Sequence, residues 1–369
     1  MMVFGAVAGA QPATRPTVVL EAKLDQTDGP ARMTAESAGG LLVPGDSSLM
    51  LFARWFSDPV VEEPDWLTGE GDVPARLRAT RSVTVTWTVP AGQARSLGED
   101  GLMWRATDSN GVPVPIEVVL EEQRALTIGT DGNPSERTRT GTERVTLLPG
   151  LVFDRDGDGM LGGAFVGVYP NELNPNAPAP VANNPRTYTP PRSFYRLDDS
   201  TAALRLSPNA TLATFAPEVF ASEGGGARFV AVSPELIRFW ETLHRVTGSR
   251  RRAVPGELRV LRGFVSPHER QRLQRLGIPL AEFSRYQYGD ALAIILDANR
   301  DYRMDDLNND GRIDIADAEM LAGFIEQALA DAGLAGGIGV CASFEGPNHI
   351  GTPYVHVDLR GWNLRWREE

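Results

Sequence analysis

Hydrophobic and polar positions alternate along the first half of the chain. In "RSVTVTWTVP", Val83, Val85, Trp87 and Val89 interleave with Ser82, Thr84, Thr86 and Thr88, the period of two expected of a half-buried strand. "SLMLFARWF", "PVPIEVVL" and "ERVTLLPGLVF" repeat the pattern, separated by turn signals such as "SNGVP" and "TDGNP". Residues 17–168 therefore read as an all-β, sandwich-like domain. From about Ala227 the period lengthens. "SPELIRFWETLHRV" opens with Ser233 as cap and Pro234 as first helical residue, and Leu236, Ile237, Trp240, Leu243 and Val246 then share one helical face. "SPHERQRLQRLG" repeats the signal, with Ser266 as cap and Glu269 placed for a capping box. "ELRVLRGF", "DALAIILD", "GGIGVCASF" and "PYVHVDLRG" read as strands, and "DIADAEMLAGFIEQALADAG" as a helix. Residues 227–369 are thus expected to form an α+β domain with an antiparallel sheet.

Between these halves, residues 169–193 ("YPNELNPNAPAPVANNPRTYTPPRS") are rich in Pro and Asn and read as an extended linker. Residues 194–226 are assigned to neither domain. Residues 1–16 carry Ala8 and Ala10 in the small-residue spacing that precedes a signal cleavage site, but show no basic n-region. They read as a signal-like segment, which favours export to the periplasm, cell envelope or exterior, or else as a tail. No later run is long enough to span a bilayer.

Composition narrows the functions. The 369 residues carry a net charge of −12, which argues against wrapping nucleic acid or lying on an anionic membrane and suits hard cations. The single cysteine, Cys341, excludes an intrachain disulfide and sits in an apolar run as an inert thiol. The short basic run "SRRRAV" from Ser249 reads as a solvated turn, and Trp362 and Trp366 as packing anchors.

The acidic stretch "DANRDYRMDDLNNDGRIDIADAEML" contains an oxygen-ligand spacing. With Asp306 first, Asp306, Asn308, Asp310, the carbonyl of Arg312, Asp314 and Asp317 occupy positions one, three, five, seven, nine and twelve. Gly311 is at the sixth, where such a loop turns sharply, and Ile313 is an apolar plug. A strand precedes the loop and the closing residue is Asp, so it resembles the dockerin type of calcium loop. Upstream, Asp297, Asn299, Asp301 and Asp305 form an overlapping pattern. Tyr302 holds its glycine position, where a β-carbon disfavours positive φ, and its twelfth residue is Asn308, already used. One good site with a satellite is expected within the 297–317 insertion. "DRDGDGML", with Asp154, Asp156, Asp158 and Gly159, lacks a closing ligand because its twelfth residue is Phe165, and is either a weak calcium site or a turn.

"LRVLRGFVSP", "SRYQYGDALAIILD" and "PYVHVDLRGWNLRW" together resemble the zinc D-alanyl-D-alanine carboxypeptidases and murein endopeptidases, whose fold also occurs in the Hedgehog signalling domain. The resemblance covers roughly the last 140 residues. It implies a Ser-x-His-x-x-Gly-x-Ala-x-Asp motif carrying two zinc ligands, with a late-strand His as the third. Here Ser284, Gly289 and Ala291 match, His356 falls at the third ligand and Asp358 persists, but Tyr286 and Ala293 replace the first two ligands. The family's assisting arginine falls at Val265, after Gly263 and Phe264, and its catalytic glutamate at Pro353. A catalytic zinc needs three protein ligands and an open position, and alanine donates nothing. No spacing recommends His244, His268 or His349 as substitutes. No zinc is expected, and calcium is the cofactor inferred.

The resulting expectation is an exported calcium-binding protein with a non-catalytic peptidase-like domain, holding cell-wall peptide or an envelope protein, or serving an envelope structural role. The alternative is an active peptidase with an unorthodox metal set of Tyr286, His356 and either Asp290 or Asp297. Asp297 lies four residues beyond Ala293, about 13 Å along an extended strand.

Overall fold

The computed structural model describes residues 18–24, 32–34, 39–45, 47–55, 77–89, 94–98, 101–105, 111–128, 135–154, 157–217, 228–249, 257–278, 280–346 and 351–368. The signal-like segment lies outside these residues. The chain divides into two compact units: residues 1–36, 49–104 and 115–144, and residues 37–48, 105–114 and 145–369. The first unit contains a five-stranded sheet in the order Arg32–Thr34, Val18–Leu24, Ser48–Trp55, Gly101–Arg105, Ala94–Gly98. In a further sheet, Val114–Ile128 lies between Ser135–Pro149 and Leu77–Thr88. Alternation decides which way each residue points: Thr84, Thr86 and Thr88 are exposed, while Val83, Val85 and Trp87 are half-buried. Ile116, Val118 and Leu120 are buried in the same alternating way.

The second unit is built on a five-stranded sheet in the order Leu258–Arg262, Ala291–Leu296, Tyr354–Asp358, Gly337–Cys341, Leu364–Glu368. The Ile315–Asp331 helix packs on its Gly337–Cys341 and Tyr354–Asp358 strands and against the Pro234–Ser249 helix. The rows Leu292–Val357–Ile338 and Ile294–Val355–Val340 give the sheet one aliphatic face; the intervening rows contain Ala293, His356 and Gly339. Helix starts follow their caps. Ser233 Oγ accepts from Leu236 N at 3.1 Å, and Ser266 Oγ from Glu269 N at 3.2 Å. The expected capping box at Glu269 does not form, because its carboxylate holds Arg272 at 2.6–3.0 Å. Leu236, Ile237, Trp240, Leu243 and Val246 are all buried. Among the described residues no helix is long and apolar enough to cross a membrane.

Two expectations about this unit are corrected. The sheet is not wholly antiparallel: Leu364–Glu368 runs parallel to Gly337–Cys341. After Asp358 the chain turns over the start of Gly337–Cys341, where Gly361 N bonds Ala335 O at 3.2 Å and Leu364 N bonds Gly336 O at 3.1 Å. It then continues up the outer side. The Pro/Asn-rich stretch is not a linker either. It contains a helix, Ala179–Asn183, and a 3-10 turn, Pro185–Tyr188, and it buries Tyr169, Val181 and Tyr188. Tyr169 packs on Phe153, Phe194 and Tyr288, and Tyr188 on Tyr288 and Phe283. Aromatic area decides the outcome over backbone composition, since each such ring buries roughly 150–250 Å². Residues 194–217, the described part of the unassigned 194–226 stretch, also join this unit, with Phe194, Leu212 and Phe215 in its core.

Tyr169 donates its hydroxyl to the carbonyl of Gln287 at 2.7 Å within the core. Tyr169→Phe leaves that carbonyl without its partner and should lower stability by about 1–3 kcal/mol in urea unfolding. No change in the midpoint would show that the 169–193 stretch is not part of the cooperative fold.

Candidate functional site

The three positions of the zinc motif meet in space. Ala293 pairs with His356 across the Ala291–Leu296 and Tyr354–Asp358 strands, Arg262 pairs with Ala293, and Gly339 pairs with both His356 and Trp366. One transverse row of the sheet therefore reads Arg262, Ala293, His356, Gly339, Trp366. Tyr286 reaches His356 from the Arg285–Tyr288 turn, which ends on Gly289 at φ 73°. A β-carbon at Gly289 would lie 2.6 Å from the carbonyl oxygen of Ala231, so this close turn requires glycine.

Both ring nitrogens of His356 are engaged. Nδ1 lies 2.8 Å from the Tyr286 hydroxyl, and Nε2 lies 2.9 Å from Asp358 Oδ2. Asp358 has no solvent-exposed surface, and Arg360 grips it through Nε at 2.7 Å and Nη2 at 2.5 Å. Burial pushes the Asp358 carboxyl up, but the hydrogen bonds and charges of Arg360 and His356 outweigh it and hold the group well below the usual carboxylate range. An ionised carboxylate only accepts, so Nε2 carries the proton. In the neutral ring Nδ1 then accepts from the phenol. The phenol oxygen thus occupies the lone-pair direction that a metal on Nδ1 would need.

The surroundings close over this pair. The Trp366 ring centroid lies 5.3 Å from that of His356, and a β-carbon at Gly339 would come within 2.5 Å of the indole. Arg360 lies 5.2 Å above Trp366, and Arg262 sits 5.6 Å from the Tyr286 ring and 4.8 Å from Phe344. Val265, at the family's arginine position, is buried. Beside the row, Asp290 forms an ion pair with Arg285, which is stacked between Tyr188 and Tyr288. Burial, only partly offset by Arg285 and reinforced by the Asp358 charge, pushes the Asp290 carboxyl up to about 6. Of the other histidines, His268 packs on Phe165 and His244 on Trp240, both away from the row; His349 lies outside the described residues. Cys341 is buried, and desolvation pushes its thiol up to about 11, which suits an inert side chain.

The acidic insertion holds two loops of the same conformation, nine residues apart. Positive φ occurs at Arg300 (63°) and Tyr302 (65°) in the first, and at Asn309 (58°) and Gly311 (83°) in the second. Position five donates its N–H to the first carboxylate, Asp301 to Asp297 at 3.0 Å and Asp310 to Asp306 at 3.2 Å. Position six does the same, Tyr302 to Asp297 at 3.0 Å and Gly311 to Asp306 at 2.8 Å. Asn299 and Asn308 each brace their loop's fifth residue. Tyr302 therefore adopts the positive φ that its β-carbon was expected to resist, held by Asp297 and by the Arg259 guanidinium 4.3 Å from its ring. The loops differ at their closing ends. Asp305 turns back to Ala298 N at 2.7 Å. Asp317 is buried and bonds Leu307 N at 2.7 Å and Asp314 N at 2.9 Å, so it clasps the loop onto its helix, while Asp314 caps that helix. Arg312 N bonds Asp310 at 2.8 Å.

Among the described residues no group of three or more His, Cys, Asp or Glu side chains is drawn together as a metal cage. In these loops the carboxylates face backbone N–H groups instead. At Asp158 the side chain accepts from Met160 N at 2.9 Å in a hairpin turn with Gly159 at φ 78°, and Phe165 is exposed; Asp156 lies outside the described residues. The sequence reading missed Arg360, Arg262 and Gly339. Arg360 was legible as a nearby cation, since it follows Asp358 by two residues just past the end of the Tyr354–Asp358 strand. Arg262 and Gly339 become visible only through strand register.

No protein-family model matches this chain. No curated protein matches it. Among solved structures it is similar to the Serratia marcescens L-Ala D-Glu endopeptidase ChiX, at 16% identity over 35% of this chain and 80% of that one, with a TM-score of 0.23.

The two buried carboxylates should titrate apart. The raised pKa of Asp290 means that its contribution to stability declines as pH rises from about 4 to about 6. Asp358, with a depressed pKa, contributes stability above the ordinary carboxylate range that is lost as pH falls through and below it. Carboxyl ¹³C NMR should find Asp290 titrating near 6 and Asp358 still ionised at pH 3. An Asp358 midpoint near 4 would contradict the His356–Asp358–Arg360 arrangement.

Proposed function

We propose that this chain is an exported calcium-binding protein whose peptidase-like unit performs no zinc chemistry and holds cell-wall peptide or serves a structural role in the envelope. The observation that carries this reading is the engagement of both His356 nitrogens by Tyr286 and Asp358, opposite an alanine. A zinc ion would have to displace the phenol from Nδ1 and would find one nitrogen ligand where at least three donors are needed. The unorthodox sets fare no better. Asp290 is committed to Arg285, and Asp297, beyond the far end of its strand, to Arg259 at 2.6 Å.

Calcium fits the chemistry of the loop donors. All are oxygens, and Asn309 and Gly311 curl the loop through positive φ. In the downstream loop Asp306, Asn308, Asp310, Asp314, Asp317 and the Arg312 carbonyl would hold the ion. In the upstream loop Asp297, Asn299, Asp301 and Asp305 would hold a second, weaker one, since Asp297 already has a cationic partner. A bound cation supplies charge neutralisation and stability there. Export is supported by Ala8 and Ala10 and suits a calcium-replete compartment.

Calcium at one hundred times its Kd should stabilise the chain by about 2.7 kcal/mol, raising the thermal midpoint relative to chelator. Asp306→Ala should remove most of that shift and Asp301→Ala a smaller part. Elemental analysis after dialysis against both metals should find calcium retained and no stoichiometric zinc. A midpoint indifferent to calcium and chelator would refute the calcium reading.

A further inference from the structure

The second unit has a cavity of about 580 Å³ on the outer side of its sheet, along the Leu258–Arg262 strand. That size lies within the roughly 300–1,000 Å³ of ligand pockets. Its walls include Arg205 from the Arg205–Ser207 strand, Arg259 from the edge strand, and Arg300 from the upstream acidic loop. Three guanidinium groups here face one carboxylate of the lining, Glu257, in a chain whose net charge is −12. Glu257 is held by Arg300 at 2.9–3.0 Å, and Arg259 by Asp297 at 2.6 Å. Arg205 is exposed and has no carboxylate partner among the described residues. One wall of the cavity therefore carries an uncompensated, accessible cation.

The backbone of the edge strand adds a second kind of recognition. Asp297 N bonds Glu257 O at 2.9 Å, which makes this a hydrogen-bonded pair of the antiparallel ladder. Parity then turns the N–H and C=O of Arg259 towards the neighbouring strand and those of Leu258 and Val260 outwards. Both residues line the cavity, and no backbone group among the described residues outside the sheet pairs with them. An inorganic anion or a small carboxylate would satisfy the arginines but not a line of alternating donors and acceptors. An extended peptide satisfies both.

We propose that this cavity binds a short extended peptide bearing carboxylate side chains, paired in register with Leu258 and Val260 and held by Arg205 and Arg300. This deepens the peptide-holding part of the proposed function by naming where the peptide lies and what charge it carries. The backbone match sets the strand alignment, and the arginines select acidic over neutral side chains.

Fluorescein-labelled acetyl-Ala-Glu-Ala-Glu-amide, titrated with the calcium-loaded full chain, tests this by anisotropy. Binding should saturate, should weaken about tenfold when both Glu are replaced by Gln, and should weaken again when alternate peptide nitrogens are methylated. Arg205→Ser, an exposed position, should keep the wild-type thermal midpoint and lose at least half of the Glu-over-Gln preference. No saturable binding, equal affinity for the Glu and Gln peptides, or an Arg205→Ser variant that retains full preference would each overturn the proposal. The calcium-dependent midpoint measured on the same samples reports the calcium reading separately, so the two can fail independently.

Discussion

The second unit depends on keeping a histidine satisfied in a place where it is almost wholly buried. His356 sits in the middle of a five-stranded sheet with a phenol on one ring nitrogen and an ionised carboxylate on the other. Removing a polar ring from water costs several kcal/mol unless its hydrogen bonds are replaced, and both are replaced here. The carboxylate in turn requires Arg360, which requires room over Gly337, where a β-carbon would come within 2.7–2.9 Å of the guanidinium. The indole of Trp366 requires the same room over Gly339. The two glycines of "GIGVC" are therefore part of the same constraint as the histidine. The arginine and tryptophan fill the space beside the histidine.

Charge elsewhere is handled by the backbone. Asp297, Asp306 and Asp317 each accept two or more main-chain N–H groups, which offsets part of their mutual repulsion and curls the loops in advance of any cation. The clasp made by Asp317 joins the loop to the Ile315–Asp331 helix, and that helix packs against the strands carrying His356 and Gly339. The loop is thus coupled mechanically to the sheet rather than confined to a surface excursion.

Much of this was readable from local patterning. The Ser-Pro caps placed both early helices, apolar runs placed the strands that hold Ala293 and His356, and the family resemblance, rather than any local pattern, set Tyr286 and His356 side by side. Contacts that depend on distant segments were not readable. The charged run from Leu364 to Glu368 gives no local sign that it will pair parallel to Gly337–Cys341 and lay Trp366 on the histidine. The Pro/Asn-rich stretch looked unpackable because its composition hides Tyr169 and Tyr188, two rings spaced nineteen residues apart that insert into one aromatic cluster. Tyr302 misled for the opposite reason: a local φ preference was overridden by the hydrogen bond its N–H donates to Asp297 and by stacking under Arg259.

The central claim is that the imidazole of His356 is committed to protein partners on both sides. Metal-free protein titrated with zinc, with the ring nitrogens of His356 followed by ¹⁵N NMR, addresses it most directly. The account predicts a proton on Nε2, an accepting Nδ1, and neither resonance moving as zinc reaches one equivalent. Tight one-to-one binding with a large shift at Nδ1 would show that the phenol yields to a metal, and would contradict it.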